Sequence, residues 1–165
     1  MKPLFIFEMA NNHMGDVAHG VATIRAFKAV CQNFEGEFEF AFKLQYRDLD
    51  TFIHPDMKGR HDVKLIKRFE ETRLSPQEFQ TLLDEMACNG FRRVCTPFDE
   101  ASVTQIEHDN IETIKVASCS FTDWPLLERI AQTDKPVIAS CAGASEGEID
   151  NVVSFFTHRR KDLTL

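Results

Sequence analysis

The chain has 165 residues, of which 43% are hydrophobic and 27% charged, and its net charge is −7. This composition is typical of a globular domain with a real core, and it excludes a disordered or fibrous chain. A nucleic-acid surface would need a basic patch, so we expect no nucleic-acid partner, and an anionic ligand must be held by local cations. No stretch approaches the roughly 18 apolar residues of a membrane span, so we expect no membrane partner.

The cysteines indicate a reducing compartment. There are five of them, an odd number, and none shows C-x-x-C spacing. A secreted disulfide framework normally uses an even number at regular spacings. The first apolar run, Leu4–Phe7, is also too short for a signal peptide. We therefore expect a cytoplasmic protein with reduced thiols.

Short apolar runs alternate with amphipathic stretches along the whole chain. The apolar runs predict strands at residues 4–7, 38–45, 91–96, 111–117 and 135–140, with a sixth beginning at 162. Between them lie stretches with helical spacing of apolar residues, whose predicted N-caps are Asp16, Ser75, Asp99, Asp123 and Ser145. Residues 46–60 are predicted to be a long irregular loop, a feature that is often functional.

Strict alternation of strands and helices predicts parallel strands with right-handed crossovers. A doubly wound sheet and a (β/α)8 TIM barrel both fit this order. Polar residues follow nearly every strand, which favours the barrel, because barrel sites are assembled from many strand ends. A barrel needs about 250 residues, whereas five full β-α units are present. We therefore expect residues 1–165 to be the N-terminal part of a barrel, with open sheet edges that make the piece aggregation-prone alone.

Two of the predicted strands carry a lysine within an apolar run, Lys43 and Lys115. A lysine there is costly unless it meets an anion or lies at a wet end of the strand. One such lysine is as readily explained as an edge-strand guard against aggregation. Two lysines, with the hydroxyls of Thr96, Ser118 and Ser140 at matching strand ends, favour a binding site. We predict that these five residues surround one anion site.

The strand ends resemble the N-acetylneuraminate (sialic acid) synthase family over essentially the whole chain. Each motif alone is weak, but five in the right order are specific. They are Glu8 to Asp16 for E-x-x-x-N-H-x-G-D, Lys43 and Gln45 for K-x-Q, Thr96–Asp99 for TPFD, Lys115 and Ser118 for the lysine and serine of K-I-x-S, and Ser140 for the serine of an S-T-G segment.

The resemblance implies an enzyme that condenses phosphoenolpyruvate with an N-acylated amino sugar, releases phosphate and forms a nonulosonic acid for polysaccharide biosynthesis. It implies that phosphoenolpyruvate contacts Lys43, Thr96, Lys115, Ser118 and Ser140. Glu8 and Gln45 are then expected near the sugar. Glu8 and Lys115 are the expected catalytic residues, Glu8 either orienting the sugar or assisting proton transfer.

Other implied features lie outside this chain. Family members continue into the rest of the barrel and a small antifreeze-like domain, and they form a swapped homodimer. They hold a divalent metal, usually Mn²⁺ or Mg²⁺, with two histidines on later strands. We therefore expect the metal ligands beyond Leu165 and none within residues 1–165.

The departures from the family pattern touch the acceptor sugar more than phosphoenolpyruvate. The family's acceptor-binding glutamate, two residues after the K-x-x-S serine, is Ser120 here, and a loop asparagine aligns with Arg60. N-Acetylmannosamine is therefore doubtful as the acceptor. A different amino sugar, as in the spore-coat polysaccharide branch, fits better.

Two other functions fit the same residues. A Schiff-base sugar aldolase would use Lys43 or Lys115 as the nucleophile, and a non-catalytic homologue would bind sugar without chemistry. Histidine and aspartate in the motifs also have structural interpretations. We expect His13 to order its loop, and Asp16 and Asp99 to cap helices rather than catalyse.

Overall fold

The computed structural model describes residues 2–165, which form two compact units. The first contains the residues up to Gln45 together with Leu49–Arg93, and the second contains Tyr46–Asp48 with Val94–Leu165. The strands are Leu4–Glu8 (β1), Glu39–Tyr46 (β2), Arg92–Pro97 (β3), Thr113–Val116 (β4), Val137–Ala139 (β5) and Leu163–Thr164 (β6). The α-helices are Val17–Cys31 (α1), Leu49–Phe52 (α2), Lys64–Glu71 (α3), Pro76–Cys88 (α4), Glu100–His108 (α5), Trp124–Ala131 (α6) and Glu146–His158 (α7).

The six strands form one sheet in the order β1-β2-β3-β4-β5-β6. β1 pairs with β2 in parallel, and so do β3 with β4, β4 with β5, and β5 with β6. Every helix that connects two strands therefore belongs to a crossover, as parallel pairing requires. The predicted α/β class and strand order are confirmed, and the sheet corresponds to part of a (β/α)8 barrel.

In the first unit, phenylalanine rings pack β1 and β2 against the helices. The Phe7 ring stacks on that of Phe40 at 5.8 Å between centroids and packs on Phe27 of α1 at 4.6 Å. Helix α1 also lies close to α4 at Gly20, where an added Cβ would stand 2.7 Å from a methyl group of Leu82. The small residue therefore permits the close approach of these two helices.

The segment after β2 is more ordered than the sequence predicted. Residues 46–60 were expected to be irregular, but they contain α2 and a 3-10 turn at Pro55–Met57. Three buried residues, Leu49, Ile53 and Ile66, form a small core of their own. Single helical turns are too short to show a periodic pattern, and their apolar partners lie on α3, farther along the chain.

In the second unit, each of the three helices begins at its predicted cap. Asp99 accepts from the Ser102 amide, Asp123 accepts from the Leu126 amide, and Ser145 with Glu148 forms a capping box. Strands β4 and β5 are shorter than predicted. The chain leaves β4 at Val116 and turns through a 3-10 turn at Ser118–Ser120, so the hydroxyl-bearing residues after the strand are not part of the ladder.

Among residues 2–165, no helix is both long and apolar enough to cross a membrane. None of the five cysteines, all of which lie within residues 2–165, forms a disulfide bond. Cys31 and Cys95 are buried, whereas Cys88 and Cys119 are exposed. The thiols are thus distributed between core and surface rather than paired.

Gly15 provides a test of how the loop between β1 and α1 is built. Its φ is +73°, and an added Cβ would stand 2.4 Å from the Glu71 carbonyl oxygen. We expect Gly15→Ala to lower the free energy of unfolding by about 1–3 kcal/mol, through the left-handed backbone and the contact with α3. Urea unfolding measures this value.

The matched control is Gly36→Ala, because an added Cβ at Gly36 meets nothing within 4 Å. We expect that change to stay within about 0.5 kcal/mol of the wild type. Equal effects of the two substitutions would contradict this account of Gly15.

Candidate functional site

In the first unit, the carboxyl end of β1 and the interior of β2 bring together Glu8 and Lys43. The two residues are register partners across the parallel pair. The Lys43 Nζ lies 2.6 Å from a Glu8 carboxylate oxygen. The lysine side chain is only 6% exposed, whereas the glutamate side chain is 60% exposed. A buried ammonium is thus neutralised by a carboxylate that reaches it from the solvent side.

The backbone of Lys43 also anchors the loop after β1. Its carbonyl oxygen accepts from the amides of both Met9 and Ala10, each at 3.1 Å. Ala10 has a φ of +45°, an unusual conformation for a residue with a side chain. Gln45, the other predicted residue in this unit, follows two positions later on β2 and is half-buried. The Lys43 carbonyl within β2 therefore positions the start of the E-x-x-x-N-H-x-G-D segment.

His13 has a structural role in that segment. Its ring is buried, its Nδ1 accepts from the Gly15 amide at 3.2 Å, and it packs edge-on against Phe79. Burial lowers the pKa of His13. A neutral imidazole with Nδ1 as acceptor holds the tight turn before α1, as the sequence predicted for a loop-ordering residue.

In the second unit, the sheet register brings Thr96, Lys115 and Ser140 to the same side of the sheet, where the carboxyl ends of β3, β4 and β5 lie. Cys95 of β3 pairs with Ile114 of β4, so the next residues along the two strands are Thr96 and Lys115. The Ser140 amide donates to the Val116 carbonyl at 3.1 Å. Three of the predicted site residues therefore follow each other across three adjacent strand ends.

The Thr96 hydroxyl is buried and has no hydrogen-bond partner among the residues that the structure describes. Buried hydroxyls normally have a partner, since leaving one unsatisfied costs about 1–3 kcal/mol. Lys115, on the neighbouring strand, is half-buried. A hydroxyl and an ammonium group on neighbouring strands are donors of the kind that bind an anionic oxygen ligand.

The turn after β4 separates Ser118 from Ser120. Ser118 is exposed, whereas Ser120 is 7% exposed, and its amide donates to the Ala117 carbonyl. Between them the Cys119 thiol is exposed and lies 3.9 Å from the Ser120 hydroxyl. Ser118 is therefore accessible to a ligand from solvent, while Ser120 is enclosed by its surroundings.

The sequence interpretation missed Arg47, which lies just after β2 in the second unit. Its guanidinium carbon stands 3.8 Å from the centroid of the Phe98 ring, a cation–π arrangement. Burial lowers the pKa of Arg47, while Cys119, Asp99 and Cys95 act in the opposite direction. Its position in the sequence could have indicated it, because Arg47 continues the two-residue spacing of Lys43 and Gln45.

Asp99 fixes the segment that carries Arg47. One carboxylate oxygen accepts from the Ser102 amide at 2.7 Å, and the other accepts from the Asp48 amide at 2.8 Å. The Phe98 amide donates to the Tyr46 carbonyl, and the Tyr46 hydroxyl donates to Asp109 at 2.8 Å. Asp99 is thus a helix cap, as predicted, and it also holds the end of β2.

No group of three histidine, cysteine, aspartate or glutamate side chains within residues 2–165 is arranged to hold a metal ion. The residues present therefore do not fit a divalent metal by themselves. What the second unit offers at neighbouring strand ends is an ammonium and hydroxyl groups, which are donors of the kind that bind anions. The prediction that Lys43 belongs to the same anion site as Thr96, Lys115, Ser118 and Ser140 stays a prediction.

Comparisons with known proteins identify relatives along nearly the whole chain. The sequence model of the NeuB family matches residues 40–165. A Chromobacterium violaceum structure, described as spore coat polysaccharide biosynthesis protein E, is 68% identical with a TM-score of 0.94 over 98% of this chain. N-acetylneuraminic acid (sialic acid) synthetase from Leptospira borgpetersenii, solved with citrate, is 25% identical with a TM-score of 0.80 over 98%.

A curated relative is N,N'-diacetyllegionaminic acid synthase from Campylobacter jejuni, 32% identical over 52% of this chain. The chain spans about half the length of the solved relatives, 48% of the Chromobacterium protein and 53% of the Leptospira protein. It covers 26% of the Campylobacter synthase. The similarity therefore concerns the barrel portion that contains these strand ends.

The double role of Asp99 predicts a measurable difference between two helix caps. Asp99→Ala removes a cap and the bond to the Asp48 amide, whereas Asp123→Ala removes only the cap of α6. We expect a loss of about 1 kcal/mol for Asp123→Ala and about 2–3 kcal/mol for Asp99→Ala. Urea unfolding compares them, and equal losses would mean that the Asp48 bond contributes nothing.

Proposed function

Because this chain belongs to the NeuB family, we propose that the full-length protein condenses phosphoenolpyruvate with an N-acylated amino sugar to form a sialic-type nonulosonic acid. The named relatives that synthesise N-acetylneuraminic and diacetyllegionaminic acids support this class of reaction. The observation that carries the proposal is the buried Thr96 hydroxyl, which has no hydrogen-bond partner within residues 2–165 and lies on the strand next to that of Lys115.

The proposed ligand is an anion with several oxygens. Phosphoenolpyruvate carries a carboxylate and a phosphate, and ammonium and hydroxyl groups are their natural donors. On this proposal the donor groups for the anion are those of Lys43, Thr96, Lys115, Ser118 and Ser140. Lysines supply charge without fixed geometry, so the hydroxyls orient the ligand.

The reaction joins the methylene carbon of phosphoenolpyruvate to the aldehyde carbon of the open-chain sugar. Water then adds at C2. The bond between C2 and the phosphate ester oxygen breaks, and inorganic phosphate leaves. Lys115 is proposed to balance the charge that moves toward phosphate. Glu8 is proposed to orient the sugar hydroxyls or to move a proton.

The metal, the remaining barrel, the antifreeze-like domain and the homodimer belong to the same proposal. A divalent metal, when bound, would polarise the sugar aldehyde. The described residues contain no metal-binding cluster. The steps above are therefore assigned to protein side chains and not to the metal. Its ligands are proposed to lie on strands that follow β6 in the full-length chain.

A Schiff-base aldolase is the second candidate, with Lys43 or Lys115 as nucleophile. That chemistry needs a neutral amine, whereas the Lys43 ammonium is held in an ion pair with Glu8. Borohydride reduction with pyruvate separates the two functions. A covalent adduct would support the aldolase, and metal-dependent phosphate release without an adduct would support the synthase.

The role of Thr96 gives a direct test on the full-length protein. We expect Thr96→Val to weaken phosphoenolpyruvate binding about tenfold or more, since one hydrogen bond to a charged ligand contributes about 1.5–3 kcal/mol. Stability should change little, because the lost hydroxyl has no protein partner in the described chain. Isothermal titration gives the Kd, and urea unfolding gives the stability.

The control is Ser102→Ala, which removes the other buried hydroxyl that lacks a partner in residues 2–165 but lies on α5. Its Kd for phosphoenolpyruvate should stay within about twofold of the wild type. An equal loss of affinity in both variants would remove Thr96 from the proposed site. Absence of binding by the wild type would remove phosphoenolpyruvate itself.

Ser120 predicts poor use of N-acetylmannosamine. A serine supplies no negative charge and reaches less far than the family glutamate, and Ser120 is buried. An acceptor group left without its partner costs about 1–3 kcal/mol, or roughly tenfold to hundredfold in kcat/KM. We expect Ser120→Glu to raise kcat/KM for this sugar without changing phosphoenolpyruvate binding. Steady-state kinetics decide, and rapid turnover of N-acetylmannosamine by the wild type would contradict this role of Ser120.

A further inference from the structure

The two side chains of the Glu8–Lys43 ion pair differ in their exposure to solvent. The lysine side chain is 6% exposed and the glutamate side chain is 60% exposed, with 2.6 Å between Nζ and the carboxylate oxygen. An ammonium that is nearly buried needs an anion, because desolvation is costly without one. A carboxylate that is mostly in water needs no cation. The pair therefore satisfies a requirement of Lys43 and not of Glu8.

The backbone holds one partner of this pair more tightly than the other. Lys43 lies inside β2, and its carbonyl accepts from the Met9 and Ala10 amides. Glu8 is the last residue of β1, and the described hydrogen bonds fix its backbone carbonyl, which accepts from the Asn12 side chain at 3.4 Å. The Glu8 carboxylate can consequently rotate toward solvent without disturbing the sheet, whereas Lys43 stays in place within β2.

We propose that Glu8 occupies on Lys43 the position of a substrate anion and is displaced when that anion binds. This inference rests on the proposed function, in which Lys43 binds phosphoenolpyruvate. Two anions on one ammonium repel each other, so the carboxylate or phosphate of phosphoenolpyruvate competes with Glu8. Binding of the first substrate then releases the Glu8 carboxylate.

The released carboxylate has a use in the same reaction. Once it leaves Lys43, it can accept hydrogen bonds from hydroxyls of the amino sugar, which is the role proposed for Glu8. Acceptor binding therefore depends on prior binding of phosphoenolpyruvate. This binding order arises because the Glu8 carboxylate pairs first with Lys43 and then with the amino sugar. It requires no movement of the strands.

Titration of the full-length protein with phosphoenolpyruvate tests the competition. Glu8→Gln removes the competing charge and should lower the Kd about threefold to tenfold, between the effects of exposed and buried ion pairs. Glu39→Gln is the matched control, since it removes the same charge from the other end of β2, where Glu39 pairs with Arg92 at 3.1 Å. Its Kd should stay within about twofold of the wild type.

The outcomes separate this inference from the function on which it rests. Equal or weaker binding by Glu8→Gln, with normal binding by the wild type, overturns the competition. Tighter binding by both variants assigns the effect to net charge and also overturns it. If no protein binds phosphoenolpyruvate, the proposed function itself fails.

The binding order provides a second test that needs no variant. The alditol of the accepted amino sugar lacks the aldehyde and serves as an unreactive acceptor analogue. In steady-state kinetics of the wild type it should inhibit uncompetitively against phosphoenolpyruvate, because it binds only after that substrate. Competitive or mixed inhibition would show that the acceptor site exists beforehand and would overturn the proposed order.

Discussion

A buried lysine ammonium on a parallel strand must be met by an anion, and in the first unit that anion is Glu8. The cost of desolvating a charge makes this pairing a condition of the fold. It also connects the fold to chemistry, since the group that neutralises the lysine is one that a stronger anionic ligand can replace. The loop after β1 depends on the same residue through its carbonyl oxygen.

Several motif residues support the site without forming it. His13 holds a tight turn as a neutral imidazole, Gly15 permits the approach of α3, and Asp99 joins α5 to the end of β2. Their spacing in the sequence reflects backbone requirements at strand ends. The motif residues therefore fall into two groups. Some offer hydrogen-bond donors to a ligand, and the others hold those donors in place.

The second unit offers a hydroxyl and a cation at adjacent strand ends. Thr96 and Lys115 are positioned by the parallel register of β3 and β4, and Ser140 by its bond to Val116.

By itself the sequence determined the α/β class, the parallel order and the helix starts, because apolar periodicity and caps such as Asp99 and Ser145 act over a few residues. Family motifs likewise indicated which strand ends carry polar groups. Only the tertiary structure decided that residues 49–57 form short helices over a small core, that Ser120 is buried while Ser118 is exposed, and that Arg47 stacks on Phe98. It also decided that Glu8 neutralises Lys43. These features depend on contacts between residues far apart in the chain, which no local pattern records.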